Sequence, residues 1–146
     1  RSTSGYSVAI GRNAAKEETG GYGWTHVGNN AGTNQKVGSG DTNNSSFGYL
    51  AANQNVTGTN NTMIGARAGH YNTAGYNTAL GKSAFEGVSG TTTYASENIA
   101  IGPSALSKGV IGSIGRTTAV GAYAGRYATG FCRICCRLWW TRFCSF

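Results

Sequence analysis

The chain has 146 residues but a single Pro, a single Met and two His. Only 12% of its residues are charged, about half the share usual in soluble proteins. All four Cys (Cys132, Cys135, Cys136, Cys144) lie in the last 15 residues, so the rest of the chain must fold without a disulfide or a thiolate metal site. No apolar run approaches the ~20 residues that a membrane-spanning helix requires, and the N-terminus carries no secretory hydrophobic region, so membrane insertion is not expected. The first residue is Arg, as in a processed chain or a fragment. Heptads are absent. With two His, five acids and no Cys before residue 132, the supply of catalytic side chains is small, and no enzymatic activity or cofactor is expected.

Gly is abundant instead: 24 residues, about 16% against a usual ~7%. Collagen would explain such an excess only with Gly at every third position and much Pro, neither of which is present. Interior Gly costs a helix ~1 kcal/mol relative to Ala, and no long stretch here is free of it, which excludes a helical bundle. The chain therefore reads as strands and turns, with Asn and Thr supplying an uncharged polar surface.

A net charge of +7 first suggests nucleic acid. Residues 1–125 hold eight Lys or Arg against five acids, giving +3, while Arg126, Arg133, Arg137 and Arg142 supply the other +4. No basic run suited to tracking phosphates lies in the body, so no nucleic-acid partner is expected.

An internal repeat organises the body. Seven units end on a central Gly: Ser7–Gly11, Trp24–Gly28, Asn44–Gly48, Asn61–Gly65, Asn77–Gly81, Asn98–Gly102 and Thr117–Gly121. Each central Gly follows a large apolar residue (Ile10, Val27, Phe47, Ile64, Leu80, Ile101, Val120) and is followed three residues later by Ala (Ala14, Ala31, Ala51, Ala68, Ala84, Ala105, Ala124). The spacings between these Gly are 17, 20, 17, 16, 21 and 19 residues, a fixed motif with connections of variable length, the signature of a solenoid. Most units carry a further Gly (Gly20, Gly58, Gly75, Gly90, Gly130), where a turn at positive φ is expected. The segment Gly109–Gly115 resembles a degenerate half unit.

Alternation along a strand puts the large residue and the residue two before it on one face, and the residue between them on the other. That middle residue is mostly small: Ala9, Ser46, Ala79, Ala100 and Ala119, with His26 and Met63 as exceptions. The expectation is that the large residues fill a narrow roll while the small ones form an outer face that another chain can approach closely. The fold expected is all-β, a parallel β-solenoid or β-roll of about seven coils over residues 1–130, forming a rod roughly 30 Å long. One large side chain per unit is a thin core, so association into a symmetric homo-oligomer is expected.

The pattern Asn-Thr-Ala-Leu/Ile-Gly-x-x-Ala with a second Gly downstream resembles the head repeats of trimeric autotransporter adhesins and similar repeats of phage tail fibres. The resemblance covers Ser7 to about Gly130. It implies a left-handed parallel β-roll, a homotrimer around one axis, an extracellular place on a virion or cell surface, and attachment to a host glycan or protein. Units of 16 to 21 residues are longer and less regular than those of the adhesin heads, which points toward viral fibre proteins or other surface filaments.

Tyr22, Trp24, Tyr71, Tyr76 and Tyr94 fall in or beside the connections and are the candidate ligand contacts, because aromatic rings with a polar tip suit glycan and protein surfaces. The competing reading is that they pack over the edge of the roll. His26 and His70 lack a paired acid, and Glu17–Glu18 reads as a solvated loop rather than a glycosidase pair. A capsule-degrading tailspike would have to draw on acids such as Glu86 or Glu97. Four Asn-x-Ser/Thr triplets (Asn43, Asn44, Asn55, Asn60) arise from the repeat itself. Thr25, Thr62, Thr78 and Thr118 recur in register, but an ice-binding ladder must be exposed, and these Thr share the face assigned to the core.

Residues 131–146 abandon the pattern, with no Gly, Ala or Asn among them. Three readings stay open: a cap on the last coil, which solenoids need; an intermolecular disulfide cluster; or a frame-slipped continuation of the repeat, since Gly codons read one base early give Trp or Arg. The crowded Cys spacing and lack of a nearby His disfavour zinc.

Overall fold

The computed structural model describes residues 6–36, 40, 42–89, 96–108 and 115–128, together with the backbone of 134–138 and 141–145. Each repeat unit becomes one three-residue strand: β1 (Val8–Ile10), β2 (Thr25–Val27), β3 (Ser45–Phe47), β4 (Thr62–Ile64), β5 (Thr78–Leu80), β6 (Ile99–Ile101) and β7 (Thr118–Val120). They stack in chain order, parallel and in register, into one sheet wound as a β-solenoid of about five turns. We call each strand with its turn a level. β8 (Ile134–Leu138) continues the parallel stack on β7, and β9 (Thr141–Ser145) closes it antiparallel. The tail's backbone thus extends the sheet. Tyr94, Gly90, Gly130 and most of Gly109–Gly115 lie outside the described residues.

The central Gly is required twice over. Its φ lies in the positive region at every level, +132° at Gly81 for example, and a Cβ on Gly81 would come within 2.8 Å of the carbonyl oxygen of Gly102 one level on. The Ala three residues later is explained by a turn: its N–H donates to the carbonyl of the central Gly, at 3.2 Å for Ala84 and Gly81, and its methyl enters the interior. Gly58 and Gly75 do not take the positive φ expected of them. They are needed for closeness instead, since a Cβ on Gly75 would lie 2.6 Å from the carbonyl oxygen of Thr59.

The inside and the outside of the roll are the reverse of the expectation. The middle residue of each strand points inward: His26, Ser46, Met63, Ala79, Ala100 and Ala119 are all 0% exposed, while Ala9 on the edge strand is exposed. The large residues expected in the core face outward, from 37% exposed at Ile101 to 59% at Ile10, with Val27 half-buried. A roll this narrow has room for methyl groups and one larger side chain per level. The small residues are therefore the core, not a docking face.

A second inward position, four residues after the central Gly, makes up the volume. Through β2–β6 the two positions trade size, a large strand residue going with Gly (His26 with Gly32, Met63 with Gly69) and Ala with a large residue (Ala79 with Phe85, Ala100 with Leu106), whereas the β1 and β7 levels pair small with small (Ala9 with Ala15, Ala119 with Gly125). Ser46 with Ala52 lies between. A Cβ on Gly32 would run into the His26 ring, 2.6 Å from its Cγ. Across β2–β6 interior volume is thereby kept nearly even, as close packing requires.

An asparagine ladder closes the corner before each of β3 to β6. The Oδ1 of Asn44 accepts from the backbone N–H of Asn61 at 2.8 Å, Asn61 from Asn77 at 2.9 Å, Asn77 from Asn98 at 2.9 Å, and Asn98 from Thr117 at 3.0 Å. All four Asn are buried, so each rung satisfies an inward-facing backbone donor. Trp24 occupies the ladder position one level below Asn44 and ends the series.

Candidate functional site

The outward face of β1–β7 is a surface that repeats through all seven levels. Its upstream column is Val8, Thr25, Ser45, Thr62, Thr78, Ile99 and Thr118, and its downstream column is Ile10, Val27, Phe47, Ile64, Leu80, Ile101 and Val120. None of these fourteen residues is charged. Strand registry sets neighbouring levels about 4.8 Å apart, so the face is a stripe ~30 Å long. Among its large residues Val8, Ile10, Phe47, Ile64, Leu80, Ile99, Ile101 and Val120 stand exposed.

Thr62 and Thr78 are exposed and Thr25 and Thr118 half-buried, so the expected burial of these Thr is corrected. The reason for setting ice binding aside falls with it. The companion column is aliphatic or aromatic throughout and Val8 and Ile99 interrupt the upstream one, so only five of the fourteen residues carry a hydroxyl, which suits apolar contact better than an ordered water lattice.

The aromatic candidates separate. Tyr22 and Tyr76 are exposed, at 45% and 62%. Trp24 is buried and stacks on the His26 ring, centroids 5.1 Å apart and planes within 10°, so it belongs to the interior. Tyr71 is half-buried against His70, with centroids 4.1 Å apart. Tyr49, Tyr123 and Tyr127, which sequence reasoning passed over, are exposed, and the Arg126 guanidinium lies 5.2 Å from the ring centres of both Tyr123 and Tyr127. Tyr49 and Tyr123 fall one and two residues past a central Gly, a placement that puts them at the stripe's rim.

The titratable groups serve the fold. His26 is fully buried, its Nδ1 2.7 Å from Ser46 Oγ and its Nε2 3.1 Å from Gln35 Oε1. Burial lowers its pKa from 6.5 to about 4, a shift the Gln35 hydrogen bond partly offsets. Glu18 is not the solvated loop residue expected: it is 6% exposed, neither carboxyl oxygen has a partner, and burial raises its pKa from 4.5 to about 8. His70 is buried too, and burial, then the Arg67 charge, holds its pKa below the ordinary range against the opposing effect of Glu86. Glu86 pairs with Arg67 at 2.6 Å and Glu97 with Arg116 at 2.9 Å, so both acids that a tailspike reading would use are engaged with arginines. Among the described residues no three His, Cys, Asp or Glu converge where a metal could bind. Of the Asn-x-Ser/Thr triplets, Asn44 and Asn55 are buried, while Asn43 is exposed and Asn60 half-buried.

Compared with known protein families, curated proteins and solved structures, the chain matches none.

Proposed function

We propose that the protein is a structural and adhesive fibre element, a homotrimer whose chains associate through the outward stripe of β1–β7 and which projects from a virion or cell surface to attach it to a host glycan or protein. The observation that carries this reading is the stripe itself: a contiguous, uncharged, largely apolar face running through seven levels. Exposed apolar patches of several hundred Å² mark association surfaces. Taken as ~30 Å by roughly 10 Å, two stripes pressed together would bury about 600 Å², half the ~1,200 Å² of a stable interface. A ring in which every chain meets two neighbours hides more of it. The resemblance to trimeric adhesin heads and tail-fibre repeats favours three.

Attachment falls to surfaces off the stripe, where Tyr22 and Tyr76 are exposed on the connections. End-to-end stacking into a filament is less suited to this chain, because the parallel stack would have to resume on the antiparallel strand β9. Sedimentation velocity and electron microscopy test the reading. Discrete rods of three chains are expected; a stable folded monomer would overturn it, and long filaments would replace it with the stacking alternative.

A further inference from the structure

We infer that three chains dock in one register, set by a size match between Phe47 of one chain and Ser45 of its neighbour at the same level. This inference rests on the homotrimer reading and adds to it which side chains meet.

Strand direction supplies the geometry. The strands run across the long axis of the stack, so the stripe has an upstream edge and a downstream edge. Chains related by rotation about a common axis form a head-to-tail ring, in which the downstream edge of one meets the upstream edge of the next. Residues two apart on one strand thus become neighbours between chains: Phe47 faces Ser45, Ile64 faces Thr62, Leu80 faces Thr78.

Side-chain sizes fit this arrangement. Phe47 is the largest residue of the downstream column, and the smallest residue of the upstream column, Ser45, lies on the same strand. The other levels pair a medium residue with a medium one, as Ile10 with Val8, Val27 with Thr25 and Val120 with Thr118. Phe47 is 40% exposed and Ser45 half-buried, so the chain itself presents a ring beside a shallow gap. A second copy shifted by one level would set the Phe47 ring against Thr25 or Thr62 and leave Ser45 beside Val27 or Ile64, creating a clash and a void in the same contact. A foreign partner lacking the ~4.8 Å repeat could match one level but not seven, and the stripe offers no charge to select one.

The test uses the full chain with Ser45→Phe, Phe47→Ser and the double swap S45F/F47S, and follows the trimer by sedimentation over a dilution series. Ser45→Phe should raise the concentration at which the trimer dissociates by at least tenfold, and the double swap should return it to within about threefold of the parent. Equal behaviour of Ser45→Phe and the parent, or no recovery in the swap, overturns the inference. A photo-crosslinking residue at position 47 of the otherwise unchanged chain gives a second reading. Crosslinks to residues 44–48 of a neighbour support the register. Crosslinks near 78–80, the level that an antiparallel face-to-face pair would present, overturn it while leaving association intact, whereas a chain that never associates overturns the homotrimer reading itself.

Discussion

Met63 and Gly69 share one space inside the roll: a Cβ on Gly69 would meet the Met63 sulfur and lie 2.9 Å from its Cε. The neighbouring levels solve the same problem the other way round, with Ala79 beside Phe85 and Ala100 beside Leu106. Gly69→Ala should therefore destabilise the fold by ~1 to 3 kcal/mol through overpacking, since its φ of +58° is close to those that Ala52, Phe85 and Leu106 adopt at the same position of their levels. The double change Met63→Ala with Gly69→Leu copies the Ala100–Leu106 arrangement and should recover most of that loss. Chemical denaturation of the single and double variants measures both. Equal losses in the two would show that the columns do not trade volume.

The asparagine ladder makes a separate prediction. Asn61 accepts from the Asn77 N–H at 2.9 Å and donates from Nδ2 to the Ala74 carbonyl at 2.9 Å. Asn61→Ala leaves the buried Asn77 N–H without its acceptor, while the Ala74 carbonyl keeps Asn72 Nδ2 at 3.0 Å, at a cost of ~1 to 3 kcal/mol. Amide hydrogen exchange should quicken first at Asn77, whose N–H has lost its acceptor. An Asn77 amide as protected as in the parent would mean that the rung contributes little.

Much of the fold was legible because the repeat is carried by residues with steric reasons for being there. The central Gly and the Ala after it mark a positive-φ turn of fixed geometry, and all seven units became strands in register. The sidedness was not legible. Period-two alternation separates two faces without saying which is inside, and the habit of placing large apolar residues in the core gave the wrong answer for Ile10, Phe47 and Leu80. The compensating column at Gly32, Gly69, Phe85 and Leu106 was in view in the sequence, but only as variable residues of a connection. Trp24 misled for the same reason: its inward direction depends on the Asn ladder, which no single unit reveals.

That reversal can be measured directly. Ala79 is 0% exposed and Leu80 45% exposed. Ala79→Leu should destabilise each chain by ~1 to 3 kcal/mol through overpacking. Leu80→Ala should change the stability of the isolated chain by less than ~1 kcal/mol and act on association instead. Denaturation at high dilution, together with sedimentation at high concentration, separates the two effects. A larger loss of fold stability from Leu80→Ala than from Ala79→Leu would restore the large residues to the core.

The first levels of the roll should respond to pH through Glu18 and His26, whose shifts oppose each other. Glu18 has its pKa raised from 4.5 to about 8 by burial, so between those values the folded chain keeps a proton that the unfolded chain has released. Stability falls across that window as pH rises, and no further above about 8. His26 has its pKa lowered from 6.5 to about 4, so as pH drops through that range the unfolded chain takes up a proton that the folded chain refuses, and stability falls toward acid. Where the windows overlap, from 4.5 to 6.5, the two slopes nearly cancel, with His70 tilting the balance toward loss at the acid side because its pKa is also lowered. The expected profile is a near plateau from pH 4.5 to 6.5 and a decline from 6.5 to about 8, read from denaturation midpoints and from exchange at the His26 and Val27 amides. Glu18→Gln removes the Glu18 slope from the whole window between 4.5 and about 8, leaving a profile that rises to pH 6.5 and then stays level. A decline between 6.5 and 8 that survives in Glu18→Gln would mean that another group carries it.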